Sequence, residues 1–265
     1  MQLFSFRNFR ILLLIAILAT VAIYSKTQLL RSTAWLEPMQ VSIYPINGDN
    51  SPKTARYIQG LSHGSFSDID QFMQRESKKF NLLEEQPTRT TLGSEVMASP
   101  PPPPEIESKN TLSTMLWSLK LRYWAWKNTP DNRSNLNRVR IFVLYYQPND
   151  EQPLAHSLGI QKGLIGVVHA FASKKQQPQN NIVIAHELLH TVGASDKYDN
   201  NNHPIFPDGY AEPNRNPRYP QYRAEIMSGR IPTSLTRSQM AKSLKRCVVG
   251  LKTAREINWV IATRQ

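Results

Sequence analysis

Apolar and polar positions follow periods along the chain that predict strands and helices. Met39–Ile46 alternates as a strand does, and Arg138–Tyr146 and Leu164–Ala172 are runs rich in β-branched and aromatic residues. Phe66–Phe80 and Thr111–Lys127 repeat apolar residues every three or four positions, which predicts helices that each bury one stripe. Strands interspersed with helices in this way predict a domain that contains both α and β elements.

The N-terminal segment has the pattern of a membrane-directed sequence. Arg7 and Arg10 precede Ile11–Tyr24, a fourteen-residue run that is apolar apart from Thr20. Such a run predicts a signal anchor or a signal peptide over residues 1–27. An uncleaved anchor would make the protein single-pass, with both arginines in the cytoplasm and the folded part on the extracytoplasmic side. Cleavage would instead release a secreted protein.

Two segments read as loops, and the C-terminal segment reads as helix. Residues 84–109 contain five consecutive prolines, Pro100–Pro104, which favour an extended conformation. Residues 199–223 hold five Pro and five Asn, and a loop of that length inside a compact domain is usually functional. Leu235–Thr263 carries a loose apolar stripe between basic positions and predicts one long helix or two.

These predictions divide the chain into three parts. After the membrane-directed residues comes an N-terminal segment, 28–110, which includes the proline-rich loop, and then a catalytic domain, 111–265. The strand and helix within 28–110 are either a small accessory layer or the first elements of the catalytic fold. The length and the 40% hydrophobic content are sufficient for a packed core and exclude a disordered chain.

Charge and cysteine content narrow the classes of partner. The net charge is +12, which suits an anionic membrane surface or an anionic polymer. No nucleic-acid-binding motif accompanies the basic residues, so no nucleic-acid partner is expected. The single Cys247 excludes an intramolecular disulfide.

The chemistry of the chain is concentrated in residues 181–198, NIVIAHELLHTVGASDKY. On a helix, His186 and His190 lie one turn apart, so both imidazoles can reach one metal ion. Glu187 is turned by about 100° from His186 and lies beside the ion, where it can act as a base. Gly193 predicts the end of the helix, and Asp196 follows close enough to supply a third ligand. Two His and one carboxylate with an open fourth position form a catalytic zinc set.

This pattern, HELLHTVGASD from His186 to Asp196, resembles that of the metzincin metallopeptidases. The later segment Ala224–Gly229 is similar to their Met-turn, in which Met227 would form a hydrophobic floor beneath a single Zn²⁺ ion. A minority of metzincins use Asp as the third ligand. The resemblance implies an α+β fold with a mixed sheet, an active-site helix and a helix after the Met-turn. It also implies that Leu164–Ala172 is an edge strand that binds the substrate backbone.

Several assignments remain open at this level. A tyrosine hydroxyl is expected to stabilise the oxyanion or to contact the substrate, and the candidates are Tyr198, Tyr210 and Tyr222. Asp196 is the preferred third ligand, and the alternatives are His203, Glu212 and Glu225.

The predicted activity is zinc-dependent hydrolysis of peptide bonds in a polypeptide substrate. A bound zinc ion would acidify a water molecule, and Glu187 would accept its proton as general base. One alternative is another zinc-dependent amide hydrolase, such as a cell-wall amidase. The other is a membrane-anchored, non-catalytic zinc-binding scaffold, although such a protein has no use for a base at Glu187.

Overall fold

A computed structural model describes residues 6–104, 111–129, 138–148, 157–161 and 163–260. The chain has a mixed α/β architecture with one N-terminal apolar helix. The helices are α1 (Phe6–Ser32), α2 (Pro52–Gln59), α3 (Ser67–Ser77), α4 (Thr111–Asn128), α5 (Gln177–Thr191) and α6 (Leu251–Glu256). The strands are β1 (Met39–Asn47), β2 (Thr88–Leu92), β3 (Arg138–Tyr146), β4 (Leu158–Ile160), β5 (Ile165–Phe171), β6 (Ala224–Glu225), β7 (Arg230–Pro232), β8 (Ser238–Met240) and β9 (Cys247–Val248).

Five strands form the central sheet in the order β2-β1-β3-β5-β4. The first four are mutually parallel, and β4 pairs antiparallel with β5. Side chains of a strand alternate between the two faces of a sheet. Accordingly, Ile141 and Val143 enter the core beneath α3 and α5, whereas Phe142 and Leu144 enter a second core beneath α4. The strands predicted near β1, β3 and β5 are confirmed.

The N-terminal segment contributes directly to this sheet. Strands β1 and β2 pair with each other, and β1 also pairs with β3 along eight residue positions. The helix predicted over Phe66–Phe80 is present as α3 followed by a short 3-10 turn, Lys78–Phe80, and Ile69, Phe72 and Met73 are fully buried. The segment therefore supplies the first elements of the main fold and shares its core, so it is not a separate accessory layer.

The interpretation of residues 84–109 as loop is wrong for β2. This strand buries Thr88 and Thr90, not large apolar residues. Asp70 of α3 accepts hydrogen bonds from the Thr88 hydroxyl at 2.7 Å and from the Thr90 backbone N–H at 2.9 Å. Because a polar side chain from another element satisfies its buried face, the strand has no apolar alternation for the sequence to reveal.

The prediction that Leu164–Ala172 forms the sheet edge is also wrong. Its strand, β5, lies between β3 and β4, and the short β4 forms that edge. Strand β4 covers only the first part of β5, through Val167. Beyond it, the His169 N–H donates to Ser157 Oγ at 3.0 Å, and Asn180 of α5 bonds to both backbone groups of Phe171. A three-residue strand is too short to show a period in the sequence.

Neither the one long helix nor the two helices predicted over Leu235–Thr263 are formed within the described residues, which end at Val260. Instead, β8 pairs with β7, β9 pairs with β6, and only α6 is α-helical. Leu235 is 78% exposed, so the first position of the expected stripe packs on nothing described. Cys247 lies in β9, where burial raises the pKa of its thiol to about 12 and leaves it inert. Gly250 caps the start of α6 in an extended conformation and prevents a continuous helix.

Helix α4 forms where it was predicted, but its expected stripe is not the buried face. Leu121 and Ala125 are completely buried against the sheet. Leu119 and Tyr123, which belong to the stripe that predicted the helix, are 57% and 63% exposed. The helix is therefore apolar on two opposite sides, and only one of them packs on the described part of the protein.

Helix α1 is long and apolar enough to span a membrane, and its apolar window is not buried in the protein. The chain enters the folded domain almost immediately after it. Trp35 is buried three residues beyond the helix, and its indole N–H donates to the Ile257 carbonyl at 2.6 Å. Its ring also packs edge-on against Trp259. No flexible linker therefore separates α1 from the domain.

Candidate metal centre

Helix α5 carries the HELLH sequence through the interior of the protein. Its apolar positions are buried on several sides, as the sequence predicted, and they include Ile182, Ile184, Ala185, Leu188 and Leu189. The helix ends at Thr191, and Gly193 adopts a φ of +108°, which L side chains rarely adopt. The Ala194 N–H returns to the Leu189 carbonyl at 3.0 Å and closes the turn. The predicted helix end at Gly193 is confirmed.

Each histidine of the motif is oriented by a hydrogen bond from its Nδ1. His186 Nδ1 lies 3.0 Å from the Ile226 carbonyl oxygen, and His190 Nδ1 lies 2.8 Å from the Ala194 carbonyl oxygen. A carbonyl oxygen only accepts, so in each ring the proton is on Nδ1 and the Nε2 lone pair is available. This is the tautomer that a metal-ligating histidine requires.

Asp196 completes a triangle with the two Nε2 atoms. Its Oδ1 lies 3.1 Å from the Nε2 of His186 and 3.1 Å from that of His190, and the two nitrogens are 3.0 Å apart. Tetrahedral zinc with bonds of about 2.0–2.1 Å holds its ligand atoms about 3.3–3.4 Å apart. The triangle therefore fits a zinc ion after a relaxation of about 0.3 Å and leaves the fourth position open.

The three groups shift each other's proton affinity in the metal-free protein. Burial lowers the pKa of His186, but the hydrogen bond with Asp196 and the charge of Glu187 outweigh it and raise the pKa above its usual value. Partial burial opposes ionisation of Asp196, but its hydrogen bonds with the two imidazoles hold the pKa of its carboxyl well below the usual range. An anionic ligand thus attracts positive charge to this position.

Glu187 lies beside the triangle and is almost entirely buried. One of its oxygens lies within 4.8 Å of the ligand nitrogens of both histidines. Its Oε2 has no hydrogen-bond partner among the described residues. Burial raises the pKa of this carboxyl despite the lowering effect of the histidine charges. An unpartnered buried carboxylate next to a metal-ligand cluster has the placement of a proton acceptor.

The segment Ala224–Gly229 makes a tight turn directly behind the histidines. The Ser228 and Gly229 N–H groups both bond to the Glu225 carbonyl, and Met227 is fully buried in the main core. The Met227 carbonyl accepts from the Lys197 N–H at 3.0 Å, next to Asp196. The turn predicted from the sequence therefore lies against both α5 and the segment that contains Asp196.

The alternative third ligands are placed elsewhere. The Glu225 carboxylate is fully buried and accepts from the Met227 N–H, the Gly250 N–H and the Thr253 hydroxyl, at 2.6, 3.1 and 2.7 Å. Glu212 pairs with Arg223 at 2.9 Å. The backbone of His203 is bonded to Asp199, and within the described residues the closest group of possible ligand atoms, from His186, Glu187 and His190, includes neither His203 nor Asp196. The distances of 3.1 Å to both histidines are what favour Asp196. Asp196 is the carboxylate that meets the histidines.

Of the three candidate tyrosines, Tyr198 lines the cleft next to the metal-ligand cluster. Its ring stacks on His186 with centroids 6.2 Å apart. Burial and the negative charge of Asp196 raise the pKa of its hydroxyl to about 12, so it stays a proton donor. The Tyr210 hydroxyl bonds to Tyr219 at 2.8 Å, and Tyr222 lies under the Arg215 guanidinium.

A cleft of about 520 Å³ opens over this face of α5. His186, Glu187 and Tyr198 line it from the metal-ligand side, and β5 contributes His169 and Phe171. His169 stacks on Tyr146 and has a pKa lowered by burial. The cleft therefore extends from the metal-ligand cluster along the end of β5 that does not pair with β4.

The roles of two residues that shape the site could not be predicted from the sequence. Glu225 braces the turn through backbone bonds, and Gly159 of β4 lies so close to α5 that an added Cβ would be 2.5 Å from the Glu187 carbonyl and 2.6 Å from the His190 Cβ. The only sequence signal is a glycine inside an apolar triplet, Leu158–Ile160, which marks a close approach of two backbones.

The site can also be compared with known proteins. The chain matches no protein-family model, and no curated protein matches it.

Proposed function

We propose that this protein is a membrane-anchored, zinc-dependent metallopeptidase of the metzincin type. The observation that carries the proposal is the triangle of His186 Nε2, His190 Nε2 and Asp196 Oδ1, with sides of 3.0–3.1 Å. The turn around Met227 lies behind this triangle, as the resemblance implies. Lone pairs from three separate groups converge on one point, which a solvated helix face has no reason to produce.

The ion's contribution is simple: zinc, when bound, polarises the scissile carbonyl and acidifies a water molecule. The remaining steps belong to the residues of the chain. Glu187 accepts a proton from the attacking water and returns it to the leaving amine, because its Oε2 has no hydrogen-bond partner among the described residues. The Tyr198 hydroxyl, which remains protonated, is the donor available to the oxyanion.

The sheet supports a polypeptide substrate lying beside β4. In β5, the residues that bond to β3 alternate with those that bond to β4. Gly159 faces Gly166 at a non-hydrogen-bonded position, so its own N–H and C=O point to the outer edge. An extended substrate can pair with those groups by strand addition, close to His190.

Helix α1 is proposed to be the membrane anchor. It is long and apolar enough to span a bilayer, and Arg7 and Arg10 lie at its start. Basic residues favour the cytoplasmic side, so the cleft would be extracytoplasmic and the protein single-pass. Protease protection of the domain in inverted and right-side-out membrane vesicles tests this orientation.

The test of catalysis is Glu187→Gln in the full-length protein. An amide keeps the shape but cannot accept the proton, so hydrolysis of a denatured polypeptide should fall by about 10²–10⁴-fold. Zinc content should stay at one ion per chain, because Glu187 is not a ligand in this proposal. The exposed Glu85→Gln is the control and should hydrolyse like the wild type.

Two outcomes would contradict the proposal. Undiminished turnover by the Glu187→Gln variant would remove Glu187 as the base. Absence of zinc from the wild-type protein would remove the metal. A third outcome would relocate the activity: the net charge of +12 also suits an anionic cell-wall polymer, so cleavage of cell-wall fragments without cleavage of polypeptide would indicate an amidase.

A further inference from the structure

The third metal ligand is less enclosed than the other two. The Asp196 side chain is 45% exposed, whereas those of His186 and His190 are 12% and 17% exposed. Helix α5 fixes the histidines, but Asp196 follows the end of that helix in irregular backbone. A ligand in such a position must be held by something other than its own secondary structure.

The two neighbours of Asp196 are both held by Glu256. The Ser195 N–H donates to Glu256 Oε2 at 3.0 Å, and the Ser195 hydroxyl donates to Oε1 at 2.8 Å. Lys197 Nζ lies 2.8 Å from Oε2 and also donates to the Ser195 carbonyl at 2.7 Å. One carboxylate thus makes three bonds to the two residues that bracket the ligand.

Glu256 is itself firmly placed. It is the last residue of α6, and the start of that helix is bound by Glu225, which accepts from the Gly250 N–H and the Thr253 hydroxyl. Just after α6, the Ile257 carbonyl accepts from the Trp35 indole. Helix α6 is therefore tied to the turn behind the histidines at one end and to the N-terminal part of the domain at the other.

We infer that Glu256 is a positioning residue that holds Asp196 in place as the third metal ligand. This inference rests on the proposed metal site. Glu256 does not touch the ligand triangle; it acts through the backbone of Ser195 and the ammonium of Lys197, which is only 5% exposed. Removing it takes away the three side-chain bonds that hold both neighbours of Asp196 and leaves backbone bonds such as that from the Lys197 N–H to the Met227 carbonyl, while the two histidines keep their own hydrogen bonds.

The test is a double-mutant cycle on full-length protein in detergent. Zinc affinity is measured by competition with a chelator for wild type, Glu256→Ala, Asp196→Ala and the double variant. Loss of a group that orients a metal ligand typically lowers metal affinity about 10–100-fold, which is the effect expected for Glu256→Ala. In the Asp196→Ala background the same substitution should change affinity less than about twofold, because the residue it positions is gone.

A second readout separates positioning from general stability. Cobalt(II) bound to the wild type should show the visible absorption of a four-coordinate site, and Glu256→Ala should weaken and shift that band. Glu212→Ala is the matched control, because it also breaks an ion pair of a carboxylate, here with Arg223, but touches neither Ser195 nor Lys197. It should leave zinc affinity and the cobalt spectrum unchanged.

If Glu256→Ala does not fold, Glu256→Gln takes its place. Its amide oxygen still accepts from Ser195 but no longer pairs with Lys197, so a smaller loss of affinity is expected. Equal losses with and without Asp196 would overturn the positioning role while leaving the metal site intact. A wild type without zinc would overturn both proposals, whereas a coupled cycle in a protein that cleaves no peptide would overturn the peptidase alone.

Discussion

Helices α4 and α5 lie on opposite faces of the same sheet and use their apolar residues in opposite ways. In α5, apolar side chains are buried on several sides, and the only polar groups retained inside have partners or chemistry. In α4, Leu121 is sealed against the sheet, but Leu119 and Tyr123 face outward. Apolar spacing alone therefore says that a helix forms, but not which side of it is buried.

The difference follows from what each helix contacts. Helix α5 is packed by β5, β4 and the turn around Met227, so nearly every direction is occupied. Among the described residues, helix α4 packs on the second core, where Phe142 contacts its Trp124 edge-on, and Trp117 donates to the Pro101 carbonyl. The outward-facing apolar residues of α4 are thus exposed, whereas the apolar residues on the several sides of α5 pack against its neighbours.

The sharpest test of this contrast compares two leucines within α4. Leu121→Ala removes a fully buried side chain and should lower the free energy of unfolding by about 2–5 kcal/mol. Leu119→Ala changes an exposed position two residues earlier and should stay within about 0.5 kcal/mol of the wild type. Denaturant unfolding of the full-length protein in detergent measures both. Equal losses would mean that both sides of α4 are buried.

A second test concerns how tightly α5 is enclosed. Gly159→Ala places a methyl group against the Glu187 carbonyl and the His190 Cβ, which requires β4 or α5 to move. Such overpacking should lower the free energy of unfolding by about 1–3 kcal/mol. It should also weaken zinc binding, because His190 shifts with its helix. Gly64→Ala is the control, since a Cβ there would be 3.6 Å from its nearest contact, a serine hydroxyl. A variant at Gly159 with wild-type stability would show that α5 has room beside it.

The smallest expected effect is a pH dependence of the metal-free protein. The pKa of His186 is raised in the folded state. Its contribution to the free energy of unfolding is therefore complete below the unfolded pKa of about 6.5 and is lost as pH rises through the folded pKa. The pKa of Asp196 is lowered, so its contribution is present above its unfolded value and is lost as pH falls through the folded one. The pair therefore stabilises most in mildly acidic solution.

Thermal unfolding in the presence of a chelator measures this contribution. Asp196→Asn should lower the melting temperature more at about pH 5.5 than at about pH 8.5. The difference should correspond to less than about 1 kcal/mol, because the Asp196 side chain is about half exposed and solvent screens the pair. A larger deficit at the alkaline pH would contradict the assigned direction of the shifts.

Much of the site could be predicted from the sequence because its geometry is local. His186, Glu187 and His190 are placed by one helix, and Asp196 by the turn that Gly193 permits. The brace made by Glu256 could not be predicted, since it lies 60 residues from Asp196 and no period or motif connects them.

The predictions of β2 and of the C-terminal segment were wrong for the same physical reason, which is that tertiary contacts decide which of their residues are buried. Strand β2 satisfies its buried threonines with Asp70, so its pattern is polar. In the C-terminal segment, Ala241, Leu244 and Cys247 are buried although the backbone is not α-helical. Spacings of three there reflect a chain that wraps around a core, and only the tertiary contacts distinguish that from a helix.

The bond between Trp35 and Ile257 has a mechanical consequence. A protease on a long tether samples a volume around its point of attachment and reaches targets at many heights. Here Trp35 is fixed in the core of the domain three residues after the N-terminal helix ends. Little free chain therefore separates that helix from the domain that carries the cleft. If this helix is the membrane anchor proposed above, the short connection keeps the cleft close to the bilayer, and a substrate would have to reach it there.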